Sequence, residues 1–384
     1  MQLPELLNSL AYDVSPNYLT GKRLSADPTY GHIFRRAEKE CGLHGVYSIT
    51  GSEFGAGRGS IPFVYVCQVH SESEARVVHR KVWNQNTTPF LVVVSPATVR
   101  VYPGFRYERS ANGDPNAGAL PNSLEALAAL SIDSGAVWKQ LGSEVTPDRR
   151  VDWKLLDNLR ELDRFLTQDG VGDPRVSHAM IGKLVYLWYL RQRDILSDAR
   201  LKQWDIAPAH VFTGQVRMAS FIQLVEKVDE WLNGSVFPLS SSTIRQFGAE
   251  RLRKVVSVFE GEQVASGQLP LFDIYDFSFI PIETLSVIYE MFLHEVKLSS
   301  GVSKGKDRGA YYTPVPLVNF VLDQIDTRKP LQQGMRVFDG SCGSGAFLVQ
   351  CYRKLIERQL ALRESLTPVE LRDLLTKQDR KSVV

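Results

Sequence analysis

The residues best arranged for chemistry lie near the end of the chain. Val337-Phe338 lead into Asp339-Gly340-Ser341-Cys342-Gly343-Ser344-Gly345, and Ala346-Phe347-Leu348-Val349 follow. The pattern predicts an apolar strand closed by an acid, then a turn of small residues and an immediate helix. A turn of this kind faces a ligand at the carboxyl end of a strand in a doubly wound α/β sheet. Gly343 and Gly345 allow close backbone approach and positive φ. The unpaired N–H groups of the helix start face the same crevice and suit a polar or anionic group. The spacing D-x-x-x-G-x-G differs from the dinucleotide fingerprint G-x-G-x-x-G, which shifts the expectation from NAD to another adenosine cofactor. A tight βα turn with no ligand has the same letters, so the segment alone is a weak signal.

A second segment lies about one helix upstream: Gly309-Ala310-Tyr311-Tyr312-Thr313-Pro314-Val315-Pro316. The two together resemble the N6-adenine DNA methyltransferases, namely the modification subunits of type I systems and the fused type IIG restriction–modification enzymes. In that family a G-x-[YF]-[YF]-T-P stretch precedes D-P-x-C-G-S/T-G-x-F-L. The matching residues are Gly309, Tyr311, Tyr312, Thr313 and Pro314, then Asp339, Cys342, Gly343, Ser344, Gly345, Phe347 and Leu348. The resemblance is specific over 309–349 and looser over about 150–375. It implies binding of S-adenosylmethionine, with no metal. Tyr312, Thr313 and Pro314 would line the methionine end, with Tyr311 also among the cofactor-binding residues. Asp339, Ser341, Cys342, Gly343, Ser344 and Gly345 would wrap the amino-acid and ribose portion, with Phe347 beside them. Gly340 departs from the family's usual proline and loosens the turn. Cys342 is expected to be a small buried turn residue rather than a nucleophile, since no histidine lies near it in sequence.

Methylating an exocyclic amine also requires the base to leave the stack and present N6 to the methyl donor. In the family an [N/D/S]-P-P-[Y/F] motif holds the flipped adenine. The chain has no Pro-Pro dipeptide, and Ser15-Pro16-Asn17-Tyr18 is a lookalike that reads as a turn. No catalytic residue is therefore assigned. The ribose-binding acid expected after a second strand is also absent, because after Gly345 come only a helix and Thr367-Pro368-Val369-Glu370, a capping box opening another. The last six residues, Asp379-Arg380-Lys381-Ser382-Val383-Val384, admit the coding GATCGGAAGAGCGTCGTG, a common sequencing-library adapter. They are expected to be non-native, and the chain to be a fragment.

These segments need elements to position them. Residues 1–145 read as an α+β domain with strands at 61–69, 89–95 and 98–102 and a helix at 72–83. Residues 146–300 read as a helical domain, with segments opening at Val151 and spanning 180–190, 221–232, 242–259 and 282–296. The stretch 180–190 is apolar nearly all round and should be a buried helix. Residues 301–384 read as the start of a Rossmann-like, S-adenosylmethionine-dependent methyltransferase domain, with a helix at 316–325, a strand at 335–338 and a helix at 346–362. The fold class expected is thus α/β: an N-terminal α+β domain, a helical middle and an incomplete methyltransferase domain.

Residues 1–150 carry no [D/E]-x-K, the letters of a metal-dependent nuclease. Gln68 stands where an acid would be expected, and Asp152-Trp153-Lys154 and Glu295-Val296-Lys297 fall in helical patterns. A nuclease-like fold without the chemistry, or a module contacting DNA or a partner, is expected there. His79-Arg80-Lys81-Val82-Trp83-Asn84 combines basic and aromatic groups, and a solvated helix end explains it equally well.

Composition allows all this. The 384 residues are 43% hydrophobic and 23% charged, with a net charge of +2, which excludes disorder and rod-like repeats. Four cysteines without C-x-x-C spacing argue against zinc or a disulfide framework. No apolar run spans a bilayer and no secretory leader is visible, so a cytoplasmic location without membrane contact is expected. The implied function is site-specific methyl transfer from S-adenosylmethionine to adenine N6 of double-stranded DNA in a restriction–modification or phage-defence system, with specificity or restriction subunits as further partners. Two alternatives stay open: a methyltransferase acting on RNA or a protein amide, and a non-catalytic DNA- or partner-binding scaffold with a vestigial methyltransferase domain.

Overall fold

The computed structural model describes residues 1–27, 29–49, 61–110, 112–167, 173–260, 273–285, 313, 315–332, 335–340, 342, 345–362 and 370. The glycine-rich stretch 51–59 and the connector 299–309 lie outside them. The chain is mixed α/β, and its contacts separate two units: Met1–Arg149 with Tyr311–Val384, and Arg150–Ala310.

The first unit is built on a five-stranded sheet in the order β1 (Tyr18–Thr20), β2 (Leu43–Ile49), β3 (Ile61–Gln68), β4 (Phe90–Val94), β5 (Val99–Pro103). All neighbours pair antiparallel except β3 and β4, which run parallel. A parallel pair requires a crossover, and α4 (Glu72–Gln85) supplies it. The letters predict this: β3 and β4 are runs of Val, Phe, Tyr and Leu, as expected of strands covered on both faces, and every residue of β4 is buried. Between β4 and β5 the chain turns at Ser95–Thr98, where Ser95 N–H donates to the Thr98 carbonyl at 2.9 Å. Pro16 and Asn17 turn the chain into β1, with Tyr18 N–H on the Ser15 carbonyl at 3.3 Å.

Two helix layers cover the sheet. On one face α1 (Leu3–Ser9), α5 (Ala129–Asp133) and α6 (Val137–Leu141) join a core containing Leu6, Tyr12, Tyr47, Val64, Val66, Phe90, Val92, Leu127 and Val137. Phe63 belongs to the same core although it neighbours Val64. The register explains this: Tyr47 pairs with Val64 but Ser48 with Pro62, so Phe63 is an extra residue in a β-bulge. It meets Phe90 at 5.5 Å and Trp138 edge-on at 5.4 Å. On the other face, after the short α2 (Gly21–Ser25), lies α3 (Gly31–Cys41), where Phe34 meets Tyr65 edge-on at 5.9 Å. Each fully buried side chain of this size contributes on the order of 2 kcal/mol. α3 ends at Gly42 in the left-handed conformation (φ +62°), and a Cβ there would lie 2.2 Å from the Gln68 carbonyl oxygen.

The second unit is helical: α7 (Val151–Thr167), α8 (Pro174–Gln192), α9 (Asp198–Gln203), α10 (Ala209–Phe212), α11 (Met218–Trp231), α12 (Ser241–Phe247) and α13 (Ala249–Glu260). Asp173 caps α8 by accepting from Arg175 N–H, with Pro174 at the first position. Residues 180–190 are buried except Tyr186, which is half-buried. The single helix expected over 242–259 is two helices. Gly248, with φ +94° and ψ 145°, interrupts the spiral, and Ser240 caps α12 through Thr243 N–H. Residues 282–285 are helical; the rest of the helix expected to 296, Glu295-Val296-Lys297 included, lies outside the described residues.

Candidate cofactor-binding turn

Two helices carry the glycine turn. α14 (Val315–Arg328) and α15 (Ala346–Leu362) face each other across a small core of Val318, Leu322 and Cys351, with Leu331, Val337, Ala346 and Phe347 packed against it. Polar pairs tie them on the same side of α15: Lys354 to Asp323 at 2.5 Å, and Arg358 to both Asp326 and the Leu331 carbonyl. Residues 347, 351, 354 and 358 are spaced by three and four, so one helical stripe makes all these contacts.

At the turn, Gly345 has the positive φ that the sequence predicts. Gly345 adopts φ +80°, its N–H donates to the Cys342 carbonyl at 2.7 Å, and its carbonyl takes the first helical bond from Val349 N–H at 2.9 Å. Asp339 is half-buried and Thr313 is half-buried. Of the residues predicted to touch cofactor, Thr313, Asp339, Cys342, Gly345 and Phe347 are described. Tyr311, Tyr312, Pro314, Ser341, Gly343 and Ser344 lie outside the described residues, as do Asp379–Val384. Phe347 packs into the core between α14 and α15.

Two expectations at this site are corrected. Met335–Phe338 is not a strand: Val337 packs inward and Phe338 is 78% exposed, but no described strand pairs with the segment. Its apolar letters encode a strand only when a neighbour supplies the ladder. Cys342 is exposed rather than buried, because no described element covers the turn, whereas Cys41, Cys67 and Cys351 are buried. Burial pushes the Cys67 and Cys351 thiols up.

The basic–aromatic cluster of α4 is also corrected. It is not a solvated helix end: His79, Val82, Trp83 and Asn84 are buried. Trp83 Nε1 donates to the Arg149 carbonyl at 3.1 Å. His79 stacks on Tyr102 at 4.4 Å and its Nε2 lies 3.0 Å and 2.8 Å from the Pro103 and Arg106 carbonyl oxygens. Desolvation by burial is the main cause that lowers its pKa to about 4, so the imidazole is neutral with its proton on Nε2. Beside it Arg76 reaches the Ala117 carbonyl at 2.5 Å. His79 and Arg76 pin the loop after β5, while Arg80 and Lys81 of the same helix are half-buried. Gln68 sits exposed at the end of β3, and Asp152-Trp153-Lys154 lies on α7.

The described groups of the turn, the Asp339 carboxylate and the backbone of Gly345, are compatible with the polar end of an adenosine-type cofactor. A half-buried carboxylate can accept from hydroxyl or ammonium groups, and the start of a helix such as α15 can receive a carboxylate. Positive φ at Gly345 keeps the backbone close without a side chain in the way. Among the described residues no group of His, Cys, Asp and Glu could hold a metal ion, and no helix is long and apolar enough to cross a membrane. No curated protein and no solved structure matches the chain. Residues 281–370, which include α14, the turn and α15, match the model of the N-6 DNA methylase family.

Proposed function

We propose that this chain carries the cofactor-binding part of an S-adenosylmethionine-dependent DNA methyltransferase that modifies adenine N6. The observation that supports the reading most is the glycine turn at the head of α15 inside the matched segment, with Gly345 at φ +80° and Asp339 at its entrance. In this reading Asp339 accepts hydrogen bonds from the cofactor's ribose or ammonium, and the first N–H groups of α15 bind its carboxylate. Gly343 and Gly345 leave room for the backbone to approach, and Tyr311, Tyr312, Thr313 and Pro314 wall the methionine end. When bound, the cofactor supplies an electrophilic methyl group to the amine. Double-stranded DNA is the proposed substrate, in a cytoplasmic restriction–modification or defence setting with specificity or restriction subunits as partners. The 384 residues contain no Pro-Pro dipeptide, so the adenine pocket and the transfer step are assigned to no residue here.

Calorimetric titration of S-adenosylmethionine tests the reading, with Gly343→Asp as control. Saturable binding by the natural chain that Gly343→Asp abolishes is the expected outcome. Absence of binding would leave a scaffold role as the better account.

A further inference from the structure

α15 has a second buried stripe that the glycine turn does not use. Gln350 and Glu357, two turns apart, are 5% and 7% exposed. Glu357 lies against the first turn of α3, in the sheet region of the same unit. Its two carboxylate oxygens accept from Arg35, Nη2 to Oε1 at 2.8 Å and Nη1 to Oε2 at 3.2 Å, and His32 Nδ1 lies 3.7 Å from Oε1. Arg35 is itself braced, donating from Nη1 to the Ser25 carbonyl at 2.6 Å. Asp27 and Arg353 complete the charged surroundings of Glu357. The backbone is shaped for the pair: a Cβ on Gly31 would lie 3.1 Å from Glu357 Oε2, 3.2 Å from Arg35 Nη1 and 2.7 Å from the Ser25 carbonyl oxygen. Any other residue at 31 would push into the contact.

The apolar core between α14 and α15 has only three buried residues among those described. So thin a core fixes the direction of a 17-residue helix poorly. A planar, bidentate guanidinium–carboxylate pair fixes it well, because both partners are held in one orientation. Glu357 lies eleven residues beyond Ala346, or ~16 Å along the helix, so a change of angle at the clamp is carried rigidly to the turn.

We propose that Arg35 is a positioning residue for the cofactor turn: the sheet region, through the Arg35–Glu357 clamp, aims the head of α15 at the cofactor. The proposal rests on the reading that this turn holds S-adenosylmethionine. Coupling of this kind is reciprocal, so cofactor also tightens the clamp.

The test titrates S-adenosylmethionine into the full chain carrying Arg35→Ala, Glu357→Gln or both, and follows deuterium uptake along α3 and α15. Arg35→Ala strands a buried carboxylate and should weaken binding about tenfold or more. Glu357→Gln removes the charge that needs a partner, so it should do less, and adding it to Arg35→Ala should restore most of the affinity. Cofactor should slow exchange in the first turn of α3, a response that a merely structural brace would not give. If Arg35→Ala fails to fold, Glu357→Gln and the double variant carry the comparison. Equal affinity in the natural chain and the variants overturns the proposal, as does uptake along α15 that Arg35→Ala leaves unchanged. If the natural chain binds no S-adenosylmethionine, the reading of the turn falls and the positioning role with it. In that case raised uptake in Arg35→Ala would still show that the clamp exists, which separates the two failures.

Discussion

His79 makes a quantitative prediction about acid stability. It is fully buried, its Nε2 faces two carbonyl oxygens, and its Nδ1 has no hydrogen-bond partner among the described residues. A second proton would go on Nδ1, where nothing accepts it, beside the Arg76 and Arg106 cations. Burial, the largest cause, holds the pKa at about 4 against an ordinary 6.5. The folded state therefore disfavours the charged form. The stability linked to this neutrality is complete above pH 6.5 and is lost as the pH falls through 4. The full displacement corresponds to about 3 kcal/mol, and the part lost between pH 7 and pH 5 to about 2 kcal/mol. His79→Gln keeps a donor for the carbonyls and cannot titrate. Urea unfolding at pH 7 and pH 5 should show the natural chain losing about 2 kcal/mol more than His79→Gln over that interval. The imidazole proton resonance of His79 should also stay constant to pH 5. Parallel losses in the two proteins, or a resonance that titrates near pH 6.5, would refute the reasoning.

Other substitutions give equally direct outcomes. Lys183 is fully buried in α8 and bonds Asp229 at 2.9 Å; burial lowers its pKa against the pull of Asp229. Asp229→Ala should destabilise the helical unit by ~3 kcal/mol in thermal or urea unfolding, and Lys183→Met by clearly less, because only the first leaves a buried charge alone. Gly42→Ala places a Cβ 2.2 Å from the Gln68 carbonyl oxygen in left-handed backbone, so a loss of ~2 kcal/mol or more is expected on chemical unfolding. Mass spectrometry after brief iodoacetamide treatment of the native chain should find Cys342 alkylated first, since the other three thiols are buried. S-adenosylmethionine should slow that labelling if the turn holds it.

Local signals were legible where a segment carries its own pattern. The β3–α4–β4 crossover could be read to within a few residues, because two runs of buried strand letters flank a helical spacing. The glycine turn was legible because Gly345 must adopt a backbone that few other residues tolerate. What escaped the sequence depends on partners. β2 is not legible in the letters: Leu43–Ile49 includes Gly45, and its strand character comes from pairing on both sides. A Cβ on Gly45 would meet the Tyr18 hydroxyl at 2.4 Å, so the glycine is an accommodation visible only once the strands are assembled. His79 and Trp83 look like a basic–aromatic surface because letters do not show which way α4 faces. Met335–Phe338 has strand letters without a described strand beside it.

The clamp between Arg35 and Glu357 also sets a clock. Its two halves are 322 residues apart in sequence. At a synthesis rate of roughly 5–20 residues per second, tens of seconds separate their appearance. α3 and its sheet are made first, and the whole of the helical unit is made before α15 exists. In that interval Arg35 has the Ser25 carbonyl but not the Glu357 carboxylate. The contact that joins the sheet region to the turn thus closes only after the whole of the helical unit has been made.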